Sequence, residues 1–137
     1  MKSFHLQIVT PDGMQYDADA LRLSIRTKEG DVGILAGHVP YIAALGNGIA
    51  TVLVSDGVEQ KAACFGGLIT VTPEVTRVVA SSFQWSSDID YEKALAAKKR
   101  AEAMLEEAGE DKVKQATAKE ALSHADIRMT LSQKNEN

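Results

Sequence analysis

The chain is poor in cysteine, in positive charge and in uninterrupted apolar sequence, and each shortage closes off a class of protein. Cys64 is the only cysteine among 137 residues. A single thiol closes no internal disulfide and builds no thiolate zinc cage, so a reducing cytosol is expected. No apolar run approaches the roughly 20 residues that a membrane-spanning helix needs. The most apolar stretch, 32–45, is interrupted by Gly33, Gly37, His38 and Pro40. No cleavable signal is read at the start, where Met1-Lys2-Ser3 leads directly into the alternating run Phe4-His5-Leu6-Gln7-Ile8-Val9. Lys and Arg number 15 against 19 Asp and Glu, giving a net charge of −4 and a pI near 5.3. Phosphate neutralisation is therefore a poor reading, and nucleic acid is not an expected partner.

What is present is unevenly distributed. Hydrophobic residues make up 45% of the chain, enough for a real core. Nine of the ten glycines lie between Gly13 and Gly67, the tenth is Gly109, and the three prolines are Pro11, Pro40 and Pro73. Residues 1–87 carry 6 basic and 8 acidic side chains, whereas the much shorter 88–137 carries 9 and 11. That shift divides the chain into a first domain, 1–87, and a second, 88–137.

The first segment reads as strands and turns. Leu21, Leu23 and Ile25 alternate with Arg22, Ser24 and Arg26, which buries one face and wets the other. Turn chemistry recurs at Pro11-Asp12-Gly13, Lys28-Glu29-Gly30, Gly46-Asn47-Gly48, Ser55-Asp56-Gly57 and Pro73-Glu74. Eight to ten short strands without a helical interval predict an antiparallel sandwich or barrel. The second segment changes period: Ala94, Ala97, Ala101, Leu105 and Ala108 recur every three or four residues, as do Ala118, Leu122, Ala125 and Met129. Ser87 with Asp90 reads as a capping box, Gly109 as the stop of the first helix and Asp111 as the cap of the second. The expected class is α+β: a sandwich followed by an antiparallel helical hairpin with an alanine seam, which buries little area and gains modest stability.

No catalytic arrangement stands out. His5, His38 and His124 form no HExxH or His-x-x-x-His pair, and neither a P-loop nor a G-x-S-x-G elbow is present. No metal site is read. Cys64, placed at the end of a strand, is a nucleophile only if His38 lies beside it, and otherwise a small buried apolar residue. Gly30-Asp31-Val32-Gly33-Ile34-Leu35-Ala36-Gly37-His38-Val39-Pro40 is the most unusual stretch. It reads either as a structural loop with a satisfied histidine or as a docking loop presenting Asp31 and His38 to a partner.

That stretch resembles the G-x-x-G-I-x-P-G-H-x-P signature of bacterial F-type ATP synthase epsilon subunits, with Ala36 where the pattern has proline. The opening HLQIVTPDG, Phe65-Gly66-Gly67 before a strand, and an alanine-rich hairpin opened by Ile89-Asp90 fall in the same order. The resemblance covers essentially the whole chain. It implies a ten-stranded sandwich followed by two helices, with no active site and no required cofactor. It also implies a rotor subunit binding the gamma subunit and resting on the c-ring. The hairpin would restrain ATP hydrolysis by reaching the catalytic alpha/beta head when extended. The implied location is peripheral, on the cytoplasmic face of the bacterial cell membrane.

Within the hairpin, Ile89-Asp90-Tyr91-Glu92-Lys93-Ala94 resembles the [IL]-D-x-x-R-A motif with which some of these subunits bind ATP as a regulatory ligand. Ile89, Asp90 and Ala94 match, and Lys93 replaces arginine. Arg100 and Arg128 fall on family arginines, His124 stands where a third is expected, and Gln84 replaces a glutamate. Lysine keeps the charge but loses the bidentate fork. Lys93 and Arg100 share one helix face, and His124 and Arg128 share another. A hairpin folded about Gly109-Glu110 would set 90 and 128 opposite each other, so that cations from both helices meet one polyphosphate. The competing readings are an Asp90–Arg128 ion pair with Lys93 and Arg100 solvated, a ligand-independent adaptor, and a small thiol hydrolase using Cys64 and His38.

Overall fold

A computed structural model describes residues 2–135, with side chains through residue 132. The last two residues of the expected second domain therefore lie outside the described ones. The chain divides into two compact units, Met1–Trp85 and Ser86–Asn137.

The first unit holds eight strands: β1 Phe4–Thr10, β2 Gly13–Ala20, β3 Arg22–Thr27, β4 Gly30–Ile34, β5 Tyr41–Ala44, β6 Asn47–Ser55, β7 Val58–Val71 and β8 Thr76–Trp85. They are ordered β2-β1-β8-β7-β6-β3-β4, with β5 added to β7. Every pairing is antiparallel except β1 with β8, where Leu6–Val9 run parallel to Thr76–Val79. Period-two burial explains the layers. Leu6 and Ile8, Leu23 and Ile25, Ala50 and Val52, and Val78 and Ala80 point inward and form one core with Leu45, Ile69 and Val71.

The strand count is eight where about ten are expected, because β7 does not stop at Phe65-Gly66-Gly67. Its first half, from Val58 to Phe65, pairs with β6, its last four residues pair with β5, and β8 follows it across the join. The glycines make the bend: Gly66 and Gly67 have φ of 66° and 109°. A Cβ on Gly67 would collide with the Val79 carbonyl oxygen. Cys64, expected at a strand end, therefore lies inside β7 opposite Phe83 and Gly48.

The second unit opens with a 3-10 turn, Ser86–Asp88, followed by α1, Tyr91–Ala108, and α2, Lys112–Asn135. The cap of α1 is Asp90 rather than Ser87: Lys93 N donates to Asp90 Oδ1 at 3.2 Å, while Ser87 is used in the 3-10 turn. Gly109, at φ 55°, ends α1. Asp111 then caps α2, accepting from Val113 N at 3.0 Å and Lys114 N at 3.1 Å. The seam consists of Ala94, Ala101 and Ala108 against Ala118 and Ala125, closed at the far end by Leu131 and Ser132. No helix among the described residues is long and apolar enough to cross a membrane.

Candidate functional site

The sandwich exposes an apolar band that its strand register builds. Val9 is opposite Met14 on β2 and level with Val79 on β8; Val79 is opposite Leu68 on β7, and Leu68 is opposite Ala44 on β5. Directly paired residues share a face, so these five side chains form one row across five strands, about 19 Å wide at a strand spacing of ~4.8 Å. Met14 is 52% exposed, Val79 49% and Leu68 48%, and Ile42, two residues from Ala44 on the same face, is 67% exposed. Beside the band runs a polar row held in place by its own bonds. Arg77 Nε donates to Gln7 Oε1 at 3.0 Å, Gln7 Nε2 donates to Asp17 Oδ1 at 3.4 Å, and the same oxygen lies 2.6 Å from His5 Nε2. A rigid apolar strip rimmed by ordered polar groups has the anatomy of a protein-binding surface.

The glycine-rich stretch is only partly a loop. Its first five residues are edge strand β4, so Asp31 sits on a strand opposite Arg26, whose Nη1 lies 3.4 Å from Asp31 Oδ1. His38 is in the loop that follows, half-buried, with Nδ1 2.7 Å from the Val39 carbonyl and its ring edge-on to Tyr41. Leu35 and Val39 are exposed at 48% and 69%, which leaves this end apolar as well.

Cys64 offers no nucleophile. It is 2% exposed, and burial pushes its thiol up to about 12, so the thiolate is suppressed at neutral pH. The thiol-hydrolase reading fails on that point. Among the described residues, no three His, Cys, Asp or Glu side chains could hold a metal ion together.

In the hairpin the suggested nucleotide residues are carried by both helices and by the segment that leads into α1. Asp90 spends Oδ1 on its cap, beside exposed Lys93, and exposed Arg100 stands seven residues along the same face. Ile89 is buried, and the Ala94 methyl lies in the seam, where its smallness lets the helices approach. His124 and Arg128 are adjacent and half-buried on α2. Burial lowers the His124 imidazole, Glu120 at 3.6 Å opposes that, and Arg128 lowers it further, so neutral imidazole is favoured. Burial also lowers the Arg128 guanidinium, which remains a cation at neutral pH.

Register decides which residues face each other. Lys98 Nζ lies 3.1 Å from Asp126 Oδ1. Arg128, two residues beyond Asp126, is therefore level with about Ala96 of α1, roughly 9 Å along the axis from Asp90 at ~1.5 Å per residue. Besides α1, α2 also packs against the 3-10 turn Ser86–Asp88 at the start of the unit.

The model described as ATP synthase, Delta/Epsilon chain, beta-sandwich domain matches residues 3–86, and the long alpha-helix domain of the same chain matches 87–133. The chain belongs to the ATP synthase delta/epsilon chain family. Among its relatives is the ATP synthase epsilon chain of Bacillus velezensis, 45% identical over 111 residues, which span 81% of this chain and 83% of that one. That of Halalkalibacterium halodurans is 35% identical over 132 residues, or 96% and 98% of the two chains. In solved structures, a chain of the Euglena gracilis mitochondrial ATP synthase OSCP/F1/c-ring assembly superposes with a TM-score of 0.80 at 24% identity. The match covers 91% of this chain and 78% of that one, and it shows the shared fold. Family membership thus spans both units.

Two features of the site escaped sequence reading. The band left a signal: Ile8-Val9, Leu68-Ile69 and Val78-Val79 break the alternation of a half-buried strand, which means apolar residues on both faces. The Lys98–Asp126 pair left none, because hairpin register is set by packing.

Proposed function

We propose that this chain is the non-catalytic epsilon subunit of the central stalk in a proton-translocating ATP synthase. Its sandwich docks on the gamma subunit through the Met14–Val9–Val79–Leu68–Ala44 band. The end bearing Asp31, Leu35, His38 and Val39 faces the c-ring, and the complex holds the subunit peripherally at the cytoplasmic face of the membrane. The observation that carries this reading is the band itself: five paired strands give a folded domain an exposed apolar surface that only a partner would cover.

The hairpin is the regulatory part. Its seam is alanine, so little apolar area holds it closed, and extension toward the alpha/beta head costs little. ATP is its regulatory ligand, held by Lys93, Arg100 and Arg128, with Asp90 Oδ2 left to accept from a ligand hydroxyl. The residues fit a polyphosphate through three cations rather than four, since His124 is neutral. Hydrolysis is not assigned to this site, which lacks a phosphate-cradling glycine loop.

Reconstitution tests the division of labour. A chain ending at residue 87 should restore assembly and proton coupling to a synthase lacking this subunit, while the complex hydrolyses ATP faster than with the full chain. Equal restraint by the shortened chain would overturn the regulatory assignment.

A further inference from the structure

The sequence contains three dipeptides in which glycine follows aspartate or asparagine: Asp12-Gly13, Asn47-Gly48 and Asp56-Gly57. Such peptides are chemically labile because glycine, lacking Cβ, lets its amide nitrogen approach the preceding side-chain carbonyl carbon. The fold treats the three differently. Asn47 and Gly48 are both half-buried ladder residues, paired with Phe65 and Cys64 in β6 and β7. Gly13 is a ladder residue opposite Thr10, and the Thr10 hydroxyl fixes the turn by accepting from Asp12 N at 3.1 Å and donating to the Gly13 carbonyl at 3.3 Å. Asp56 and Gly57 are the two turn residues between β6 and β7, outside the ladder and exposed along with Ser55 and Val58. Gly57 has a φ of 75°. Neither Asp56 nor Gly57 has a hydrogen-bond partner among the described residues.

We propose that Asp56–Gly57 is a site of spontaneous aspartate isomerisation, singled out from the other two dipeptides by its freedom from the ladder. In the first step Gly57 N attacks Cγ of the protonated Asp56 carboxyl. The N–Cγ bond forms, and the amide proton leaves with the carboxyl OH as water, closing a five-membered succinimide. Water then adds to one of the two ring carbonyls. Cleavage of the new N–Cγ bond restores aspartate. Cleavage between Gly57 N and the main-chain carbonyl carbon gives isoaspartate, in which the chain runs through Cβ and Cγ. One water leaves and one returns, so mass is unchanged. The product inserts a methylene into a two-residue turn and displaces the Ser55–Val58 pairing that starts the ladder.

Ageing the full chain at physiological temperature and pH tests this. The probes are an isoaspartyl methyltransferase with labelled S-adenosylmethionine, and electron-transfer fragmentation to locate the modified residue. Isoaspartate should accumulate at 56 several-fold faster than at 12 or 47, and Asp56→Glu should abolish the signal without altering circular dichroism. The same chain in denaturant should lose this selectivity, with Asn47 reacting first. Modification at 12 or 47 as fast as at 56, an unmodified 56, or unchanged selectivity after unfolding would each overturn the proposal.

Discussion

Lys98 Nζ lies 3.1 Å from Asp126 Oδ1, and this ion pair ties α1 to α2 at the middle of a seam made of alanine. The bond to Asp126, and then its charge, raise the Lys98 ammonium above its ordinary value. A raised lysine stabilises the fold below its unfolded value, and that contribution is lost as pH climbs through the folded one. Lys98→Ala should lower the melting temperature of the helical signal slightly at neutral pH. The charge swap Lys98→Asp with Asp126→Lys should restore it, as followed by circular dichroism.

The bend in β7 gives a sharper prediction. Gly67→Ala sets a methyl against the Val79 carbonyl at a φ of 109°. It should cost at least ~2 kcal/mol, lowering the melting temperature of the sandwich by roughly 8 °C or more. Gly33→Ala, with open space around the new Cβ, should stay within about 0.5 kcal/mol of the parent. Scanning calorimetry of both variants checks the contrast.

The second unit should be acid-sensitive through His124. Burial lowers this imidazole first, Glu120 opposes, and Arg128 assists. The unfolded chain therefore takes up the proton more readily, and stability present above the ordinary histidine value is lost as pH falls through the lowered one. Hairpin melting should drop between neutral pH and mildly acidic pH by more in the parent than in His124→Gln.

Nucleotide binding should follow the cations. Arg128→Ala removes a charge-assisted contact worth ~1.5–3 kcal/mol and should weaken ATP binding roughly tenfold or more. Lys93→Arg restores a bidentate fork and should tighten it. His124→Arg supplies a fourth cation and should tighten it again. Titration calorimetry against the full chain distinguishes these outcomes.

The α+β architecture was legible because period two and period 3.6 are local signals: Leu23 and Ile25 alternate, and Ala94 and Ala101 recur on one helix face. Gly109 and Asp111 were readable as stop and cap for the same reason. Long-range facts were not. Gly66-Gly67 reads as a strand end, and only pairing of β7 with both β5 and β6 makes it a bend within one strand. Asp31 reads as a loop residue, yet pairing with Arg26 puts it on an edge strand. The Lys98–Asp126 pair across the hairpin is equally silent in the sequence, because hairpin length alone carries no record of side-chain packing.

The central claim is that the sandwich docks through its five-strand apolar band, and the direct measurement is affinity for the isolated gamma subunit. The double variant Met14→Glu, Leu68→Glu places two charges at half-exposed positions on β2 and β7, kept apart by β1 and β8, where the fold tolerates them. If the band is the docking surface, the affinity should fall by roughly 100-fold or more, while circular dichroism and melting temperature stay near those of the parent. A folded double variant that binds gamma as tightly as the parent would contradict the account.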